Sequence, residues 1–136
     1  EHTGLRSFNY HSLSYGTAIH SLGTLVDSEG KEFAPVAVQS LASYTLDDLI
    51  GHLSLPPPQH IKIDVDGTEY EVLKGMDITL SNKSVQSIMV ELNEGIGNPD
   101  DVLHFLYAKG FEISARYQQG RYQQNCLLVK KGYVNE

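Results

Sequence analysis

The most regular alternation of apolar and polar residues in the chain lies at residues 61–66, directly before a glycine. β-Branched residues stand at positions 61, 63 and 65 with polar residues between them, which predicts a short strand ending near Val65. Gly67 interrupts this pattern, and the residues from Thr68 to Lys74 favour a helix with a left-handed cap at Gly75. A strand that runs directly into a helix is half of a βαβ unit.

Capping residues and one-face apolar spacing predict two more helices. Thr45 is a typical N-cap for a helix over about residues 46–53, which has acidic residues in its first turn. Asn98 and Pro99 begin the other helix, and Gly110 ends it.

The remaining apolar runs predict strands. Residues 87–92 are apolar on both faces, which is typical of a central parallel strand covered on both sides. Residues 111–115 and 125–130 predict two antiparallel strands joined by a polar hairpin loop. This order predicts an α/β protein with a mostly parallel sheet and an antiparallel C-terminal hairpin. We expect a single domain over residues 1–136, made of an irregular arm over 1–35 and an α/β core over 36–136.

The composition narrows the classes of function. The net charge is −7, from 10 basic and 17 acidic residues, and no basic run occurs, so we expect no nucleic-acid partner. The chain has no apolar run of the ~18 residues that cross a bilayer and no signal-peptide pattern, so we expect a cytoplasmic protein without a membrane span. Cys126 is the only cysteine, and its apolar surroundings predict a buried strand residue rather than a nucleophile.

Three segments, in order along the chain, resemble one family. Residues 61–75 closely resemble the signature of the FkbM-type methyltransferases, written roughly IKIDVEG-x-E-x-x-VLKG. Residues 45–49 resemble the TLD segment that precedes this signature, and residues 88–91 resemble the apolar strand ending in Glu that follows it. Asp66 departs from the pattern, because the family usually has Glu there; the carboxylate is kept with a shorter reach.

The resemblance implies a Rossmann-like class I fold and S-adenosylmethionine-dependent methyl transfer to a hydroxyl oxygen. The strand at Ile61 would be the fourth of that fold and the strand at Ile88 the fifth, with an antiparallel seventh strand at 125–130 beside a sixth at 111–115. Such enzymes hold the cofactor chiefly by a glycine-rich loop after the first strand and an acid after the second, and neither is found upstream of Ile61. We therefore expect the C-terminal portion of a methyltransferase domain, inactive on its own, with unknown cofactor-binding residues.

A second register competes with this assignment. Residues 90–97, followed by a helix, superficially resemble a first strand with its glycine loop. Glu91 stands too far before Gly95 for that reading, and Arg116 rather than an acid follows the next strand. We therefore favour the fourth-strand assignment of residues 61–65.

Acidic residues cluster at the predicted carboxyl edge of the sheet. On neighbouring parallel strands Asp64 and Glu91 would lie near that edge, with Asp66, Glu69 and Asn93 just beyond. We predict catalytic roles for Asp64, Asp66 and Glu91, and substrate binding for Glu69 and Asn93. The three catalytic carboxylates could hold a divalent metal ion that orients the acceptor hydroxyl, or one of them could accept the hydroxyl proton. In a structural alternative, Asp66 and Glu69 only charge the N-terminus of the next helix, and a lysine at 62 pairs with one of them.

The leading hypothesis is a fragment of an FkbM-type O-methyltransferase that acts on a small-molecule hydroxyl acceptor. The alternative is a non-catalytic interaction or oligomerisation domain that retains half of the fold. Without a first strand beside it, the strand at Ile61 would expose an apolar edge, and such an edge can pair with a second copy to form a homodimer.

Overall fold

The computed structural model describes residues 2–17, 20–27 and 31–133, which form two compact units. One unit comprises residues 2–44, and the other begins at residue 45. The prediction of one domain over the whole chain is not tested by this division and stays a prediction. Within the described residues, no helix has both the length and the apolar character needed to span a membrane.

The first unit is an antiparallel sheet with the strand order β2-β1-β3. β1 (Gly4–Tyr10) pairs with β2 (His20–Leu22) along one edge and with β3 (Ala37–Ser43) along the other. The prediction of an irregular arm over residues 1–35 is therefore wrong where β1 and β2 lie. Most side chains of β1 and β3 are exposed or half-buried, so neither strand has the alternating buried face that makes a strand visible in a sequence.

The second unit holds a four-stranded sheet and the helices. Its elements, in chain order, are α1 (Leu46–Leu53), β4 (His60–Ile63), α2 (Glu69–Lys74), α3 (Asp77–Ser81), β5 (Ser87–Asn93), α4 (Pro99–Ala108), β6 (Phe111–Gln118) and β7 (Gln123–Lys130). The predicted cap of α1 is confirmed, because Oγ1 of Thr45 accepts a hydrogen bond from the N–H of Asp48 at 3.0 Å. The predicted left-handed cap at Gly75 is wrong, because φ at Gly75 is −76°.

The sheet of this unit has the strand order β4-β5-β7-β6. β4 and β5 are parallel, and β7 lies between β5 and β6, antiparallel to both. The predicted place of an antiparallel seventh strand beside the sixth is confirmed, but the prediction of a mostly parallel sheet is wrong for both units. Residues 119–122 alone connect β6 to β7, which is too short for the crossover that a parallel pair requires.

The same topology removes the competing register at residues 90–97. A first strand of a class I sheet lies between two parallel neighbours, whereas β5 has a parallel neighbour on one side and the antiparallel β7 on the other. β5 is central, as predicted, although only one of its faces is fully buried and the other is half-buried.

One face of the sheet packs against the helices and forms the core. The buried apolar side chains come from all four strands and from α2, α3, α4 and their connections: Ile63, Leu73, Met76, Leu80, Val85, Ile88, Val90, Leu92, Val102, Leu103, Leu106, Phe111, Cys126 and Leu128. The prediction of a buried strand cysteine is confirmed, and burial raises the pKa of the Cys126 thiol. The core therefore fixes the two parallel strands, and with them the position of the residues that follow each strand.

Candidate active site

Asp64 and Glu91 meet at the carboxyl ends of the two parallel strands. Ile63 of β4 is paired with Val90 of β5, so the next residues, Asp64 and Glu91, are neighbours at one edge of the sheet. Their carboxyl groups are close enough for each to shift the pKa of the other. The structure thus brings together the two acids that were expected at this edge from the strand pattern.

The two carboxyl groups of this pair have opposite pKa shifts. Hydrogen bonding to the ammonium group of Lys62, and then to Glu91, lowers the pKa of Asp64. Burial raises the pKa of Glu91, and the hydrogen bond to Asp64 and the charges of Asp64 and Asp66 raise it further. Asp64 therefore keeps its negative charge, while Glu91 holds a proton more tightly than a free glutamate does. The pair combines a fixed anion with a group suited to proton exchange.

The turn after β4 is closed against the loop after β5. Gly67 has a φ of +82°, and a Cβ atom there would lie 2.3 Å from Cγ2 of Ile96. Gly97 has a φ of +70°, and a Cβ atom there would lie 3.2 Å from the carbonyl oxygen of Gly67. Both positions therefore require glycine, for the backbone conformation and for the close approach of the two loops.

The buried side chain of Glu69 stabilises this turn by a hydrogen bond. Its side chain is buried, with 5% of the residue exposed, and its Oε1 accepts a hydrogen bond from the N–H of Gly67 at 3.0 Å. Burial raises the pKa of Glu69 against the lowering effect of its backbone hydrogen bonds, and the charges of Asp66 and Glu91 add to the increase. Glu69 thus holds the loop that carries Asp66, and its predicted contact with substrate stays a prediction.

Asn93, Asp66 and Lys62 complete the acid cluster. Oδ1 of Asn93 accepts a hydrogen bond from the N–H of Gly95 at 2.9 Å and so shapes the loop after β5. Asp66 is exposed at the rim, and Lys62 pairs with Asp64 rather than with either acid named in the structural alternative. All five predicted site residues therefore lie at one edge of the sheet, and their roles stay predictions.

Metal binding was expected as one use of these carboxylates. Across residues 2–17, 20–27 and 31–133, no three His, Cys, Asp or Glu side chains are grouped as ligands of a metal ion. The divalent-ion role of Asp64, Asp66 and Glu91 stays a prediction.

Asn125 of β7 is a candidate site residue that the sequence did not indicate. It is paired with Glu91 across the antiparallel ladder, so both side chains lie on the same face of the sheet. Asn125 is 7% exposed, and its Oδ1 has no hydrogen-bond partner in the part of the chain that the structure describes. An amide directly before an apolar run was the only available signal, and the strand register alone places it beside the acids.

The strand order β4-β5-β7-β6, with acids near the carboxyl ends of the two parallel strands, is typical of the C-terminal half of a Rossmann-like methyltransferase sheet. The family model described as the methyltransferase FkbM domain matches residues 2–113. The chain belongs to this family.

Two curated relatives show similarity to parts of the chain. The AMB antimetabolite synthetase AmbE of Pseudomonas aeruginosa is 34% identical over 97 residues, which cover 65% of this chain and 4% of AmbE. The hexuronic acid methyltransferase AglP of Haloferax volcanii is 42% identical over 60 residues, which cover 44% of this chain and 24% of AglP. The matched segments thus span less than a quarter of either relative's length. No solved structure matches the chain.

Proposed function

We propose that this chain forms the acceptor side of an S-adenosylmethionine-dependent O-methyltransferase site. The observation that carries the proposal is the Asp64–Glu91 carboxyl pair, which lies at the carboxyl edge of the two parallel strands, the edge at which ligands bind in open α/β sheets. The family match and the methyltransferase named among the relatives support methyl transfer as the reaction. The acceptor is a small molecule with a free hydroxyl group.

In this proposal Glu91 accepts the proton that the acceptor hydroxyl loses. A general base works best when its pKa lies near the operating pH, and the pKa of Glu91 is raised in that direction. The ammonium group of Lys62 already balances the charge of Asp64, which favours a general base over a divalent ion on the same carboxylates. Asp64 positions Glu91, and the exposed Asp66 contributes to holding the hydroxyl, because methyl transfer depends mainly on alignment.

The charge of the cluster favours a hydroxyl over a carboxylate as the methylated group. Three acids, Asp64, Asp66 and Glu91, face one ammonium group at Lys62, so an acceptor carboxylate would be repelled. AglP is named as a methyltransferase of hexuronic acid, a compound that carries both kinds of group. We assign the hydroxyl to this chain.

S-adenosylmethionine supplies an electrophilic methyl group when bound, but the acid cluster by itself does not fit it. Gly67 and Gly97 leave no open space for a cofactor, because Ile96 fills the position of a Cβ at Gly67 and the backbone of Gly67 lies tightly against that of a Cβ at Gly97. We therefore propose that residues outside this cluster build the donor site.

Methyl transfer by the full-length protein tests the role of Glu91. With radiolabelled S-adenosylmethionine and a panel of hydroxyl acceptors, Glu91→Gln should lower kcat by about 10²- to 10⁴-fold, the usual contribution of a general base. Glu94→Gln is the matched control, because Glu94 is an exposed acid in the loop directly after β5, and it should leave kcat unchanged. Equal activity of the two variants would refute the role of Glu91. A labelled product that dilute alkali hydrolyses would be a methyl ester and would refute transfer to a hydroxyl.

A calorimetric titration tests the location of the donor site. We expect the 136-residue chain to show no tight binding of S-adenosylmethionine. A dissociation constant in the micromolar range or below would contradict the proposal that the donor is held elsewhere.

A further inference from the structure

The buried amide of Asn125 is not explained by the packing of the described residues. The residue is only 7% exposed, and its buried Oδ1 has no hydrogen-bond donor among residues 2–17, 20–27 and 31–133. A buried acceptor without a partner costs stability, so an apolar residue of similar size would suit the fold better at this position. A hydrogen-bond donor from a ligand would satisfy Oδ1 of Asn125.

Asn125 stands in the middle of a row of polar side chains that crosses the sheet. In the strand register, Glu91 of β5 is opposite Asn125 of β7, and Asn125 is opposite Tyr117 of β6. Directly paired residues share one face, with their Cβ atoms about 5 Å apart. The row therefore begins at the acid pair and continues over two further strands, on the face opposite the helix-covered core.

We propose that Asn125 and Tyr117 extend the acid site into a binding surface for a polyhydroxy acceptor, a neutral saccharide. This inference rests on the proposed function and names its substrate class. Oδ1 of Asn125 accepts a hydrogen bond from a second hydroxyl of the sugar, beside the hydroxyl that faces Glu91. The half-exposed Tyr117 offers its ring to the face of the sugar and its phenol group to a further hydroxyl.

The hydrogen-bond acceptors and negative charges of this row favour a neutral sugar as the ligand. Carboxylate and amide oxygens are acceptors, and their natural partners are hydroxyl groups, which donate. Two hydroxyls on one pyranose ring can span the distance between adjacent strands. A carboxylate on the ligand would meet the negative charges of Asp64 and Asp66, so a neutral sugar is preferred to a uronate.

Binding of sugar probes to the full-length protein tests the inference independently of catalysis. The probes are methyl glucoside, its monodeoxy analogues and glucuronate, and calorimetry gives their dissociation constants. Asn125→Leu should weaken methyl glucoside binding about tenfold, the effect of one lost hydrogen bond. One deoxy analogue should bind the wild-type protein about tenfold more weakly and should not distinguish the wild type from the variant. Glucuronate should bind more weakly than the glucoside.

Thermal unfolding separates a ligand role from a structural one. Asn125→Leu should keep or raise Tm, because it removes a buried unpaired acceptor. Asn82→Leu is the matched control: Oδ1 of Asn82 already accepts a hydrogen bond from the N–H of Ser84 at 2.9 Å, so this variant should lower Tm and leave sugar binding unchanged. Should Asn125→Leu fail to fold, Tyr117→Phe at the exposed end of the row must still weaken binding of the glucoside.

Each outcome has a distinct meaning. The inference would be overturned by unchanged glucoside binding in both Asn125→Leu and Tyr117→Phe, or by a folded Asn125→Leu variant with a lower Tm and intact binding. Tighter binding of glucuronate than of the glucoside, or no binding of any probe, would also overturn it. Sugar binding that depends on Asn125 in a protein that transfers no methyl group would support the inference while refuting the proposed function. Methyl transfer that is indifferent to Asn125 would do the reverse.

Discussion

Gly67→Ala should lower the free energy of unfolding by about 2–5 kcal/mol. One part of this loss is backbone strain, because a φ of +82° costs a non-glycine residue about 1–2 kcal/mol. The other part is overpacking: the new Cβ would lie 2.3 Å from Cγ2 of Ile96, and forcing a methyl group into a filled site costs about 1–3 kcal/mol.

Gly110→Ala is the matched control for the backbone part. Gly110 has a φ of +83°, and a Cβ there would meet nothing within 4 Å, so only the strain of about 1–2 kcal/mol applies. Urea unfolding followed by circular dichroism measures both variants, because the chain has no tryptophan to report by fluorescence. The difference between the two losses is the free energy of the contact between the loops after β4 and β5.

Ile96→Ala in the Gly67→Ala background should recover part of the loss, because it removes the Cγ2 atom in the way. Equal losses in Gly67→Ala and Gly110→Ala, or no recovery in the double variant, would refute the close approach of the two loops. That result would also remove the reason for placing the methyl donor outside the acid cluster.

Three further predictions concern titration, helix packing and assembly. Glu69→Gln should flatten the pH dependence of the unfolding free energy above pH 4.5. Burial raises the pKa of Glu69 above its ordinary 4.5, so the wild type loses stability as the pH rises from 4.5 through the folded-state pKa. Urea midpoints that change with pH by the same amount in both proteins would contradict this. Asp47→Ala should lower the free energy of unfolding by about 1–3 kcal/mol, because the N–H groups of Ile78 and Thr79 lose their acceptor. The control Asp100→Ala, in the exposed first turn of α4, should lower it by only about 0.3–1 kcal/mol. Equal losses in chemical unfolding would refute the contact of Asp47. We also expect β4, which pairs only with β5 among the described residues, to join a second copy through its other edge, so that light scattering shows a mass rising towards that of a dimer with concentration; a single-chain mass at every concentration would count against this.

Elements with strong local signals could be predicted from the sequence. The Thr45 cap and the one-face spacing after it specified α1, and the alternation at residues 61–65 specified β4 to within two residues. These signals act over a few neighbouring residues, so they do not depend on the rest of the chain.

The antiparallel sheet of residues 2–44 could not be predicted in this way. Its pairing joins residues far apart in sequence, such as Tyr10 and Ala37, and its strands are mostly exposed or half-buried on both faces. A strand without a buried face has no hydrophobic period, so composition alone suggested an irregular segment.

The sequence by itself determined the order of the core elements, the FkbM family and the acids near the carboxyl ends of the two parallel strands. Only the tertiary structure decided which side chains touch. The pairing of Ile63 with Val90 sets Asp64 against Glu91, and the pairing of β5 with β7 sets Asn125 beside them. A slip of one residue in either pairing would turn these groups to opposite faces of the sheet, and the register is held by packing of the whole core rather than by any local pattern.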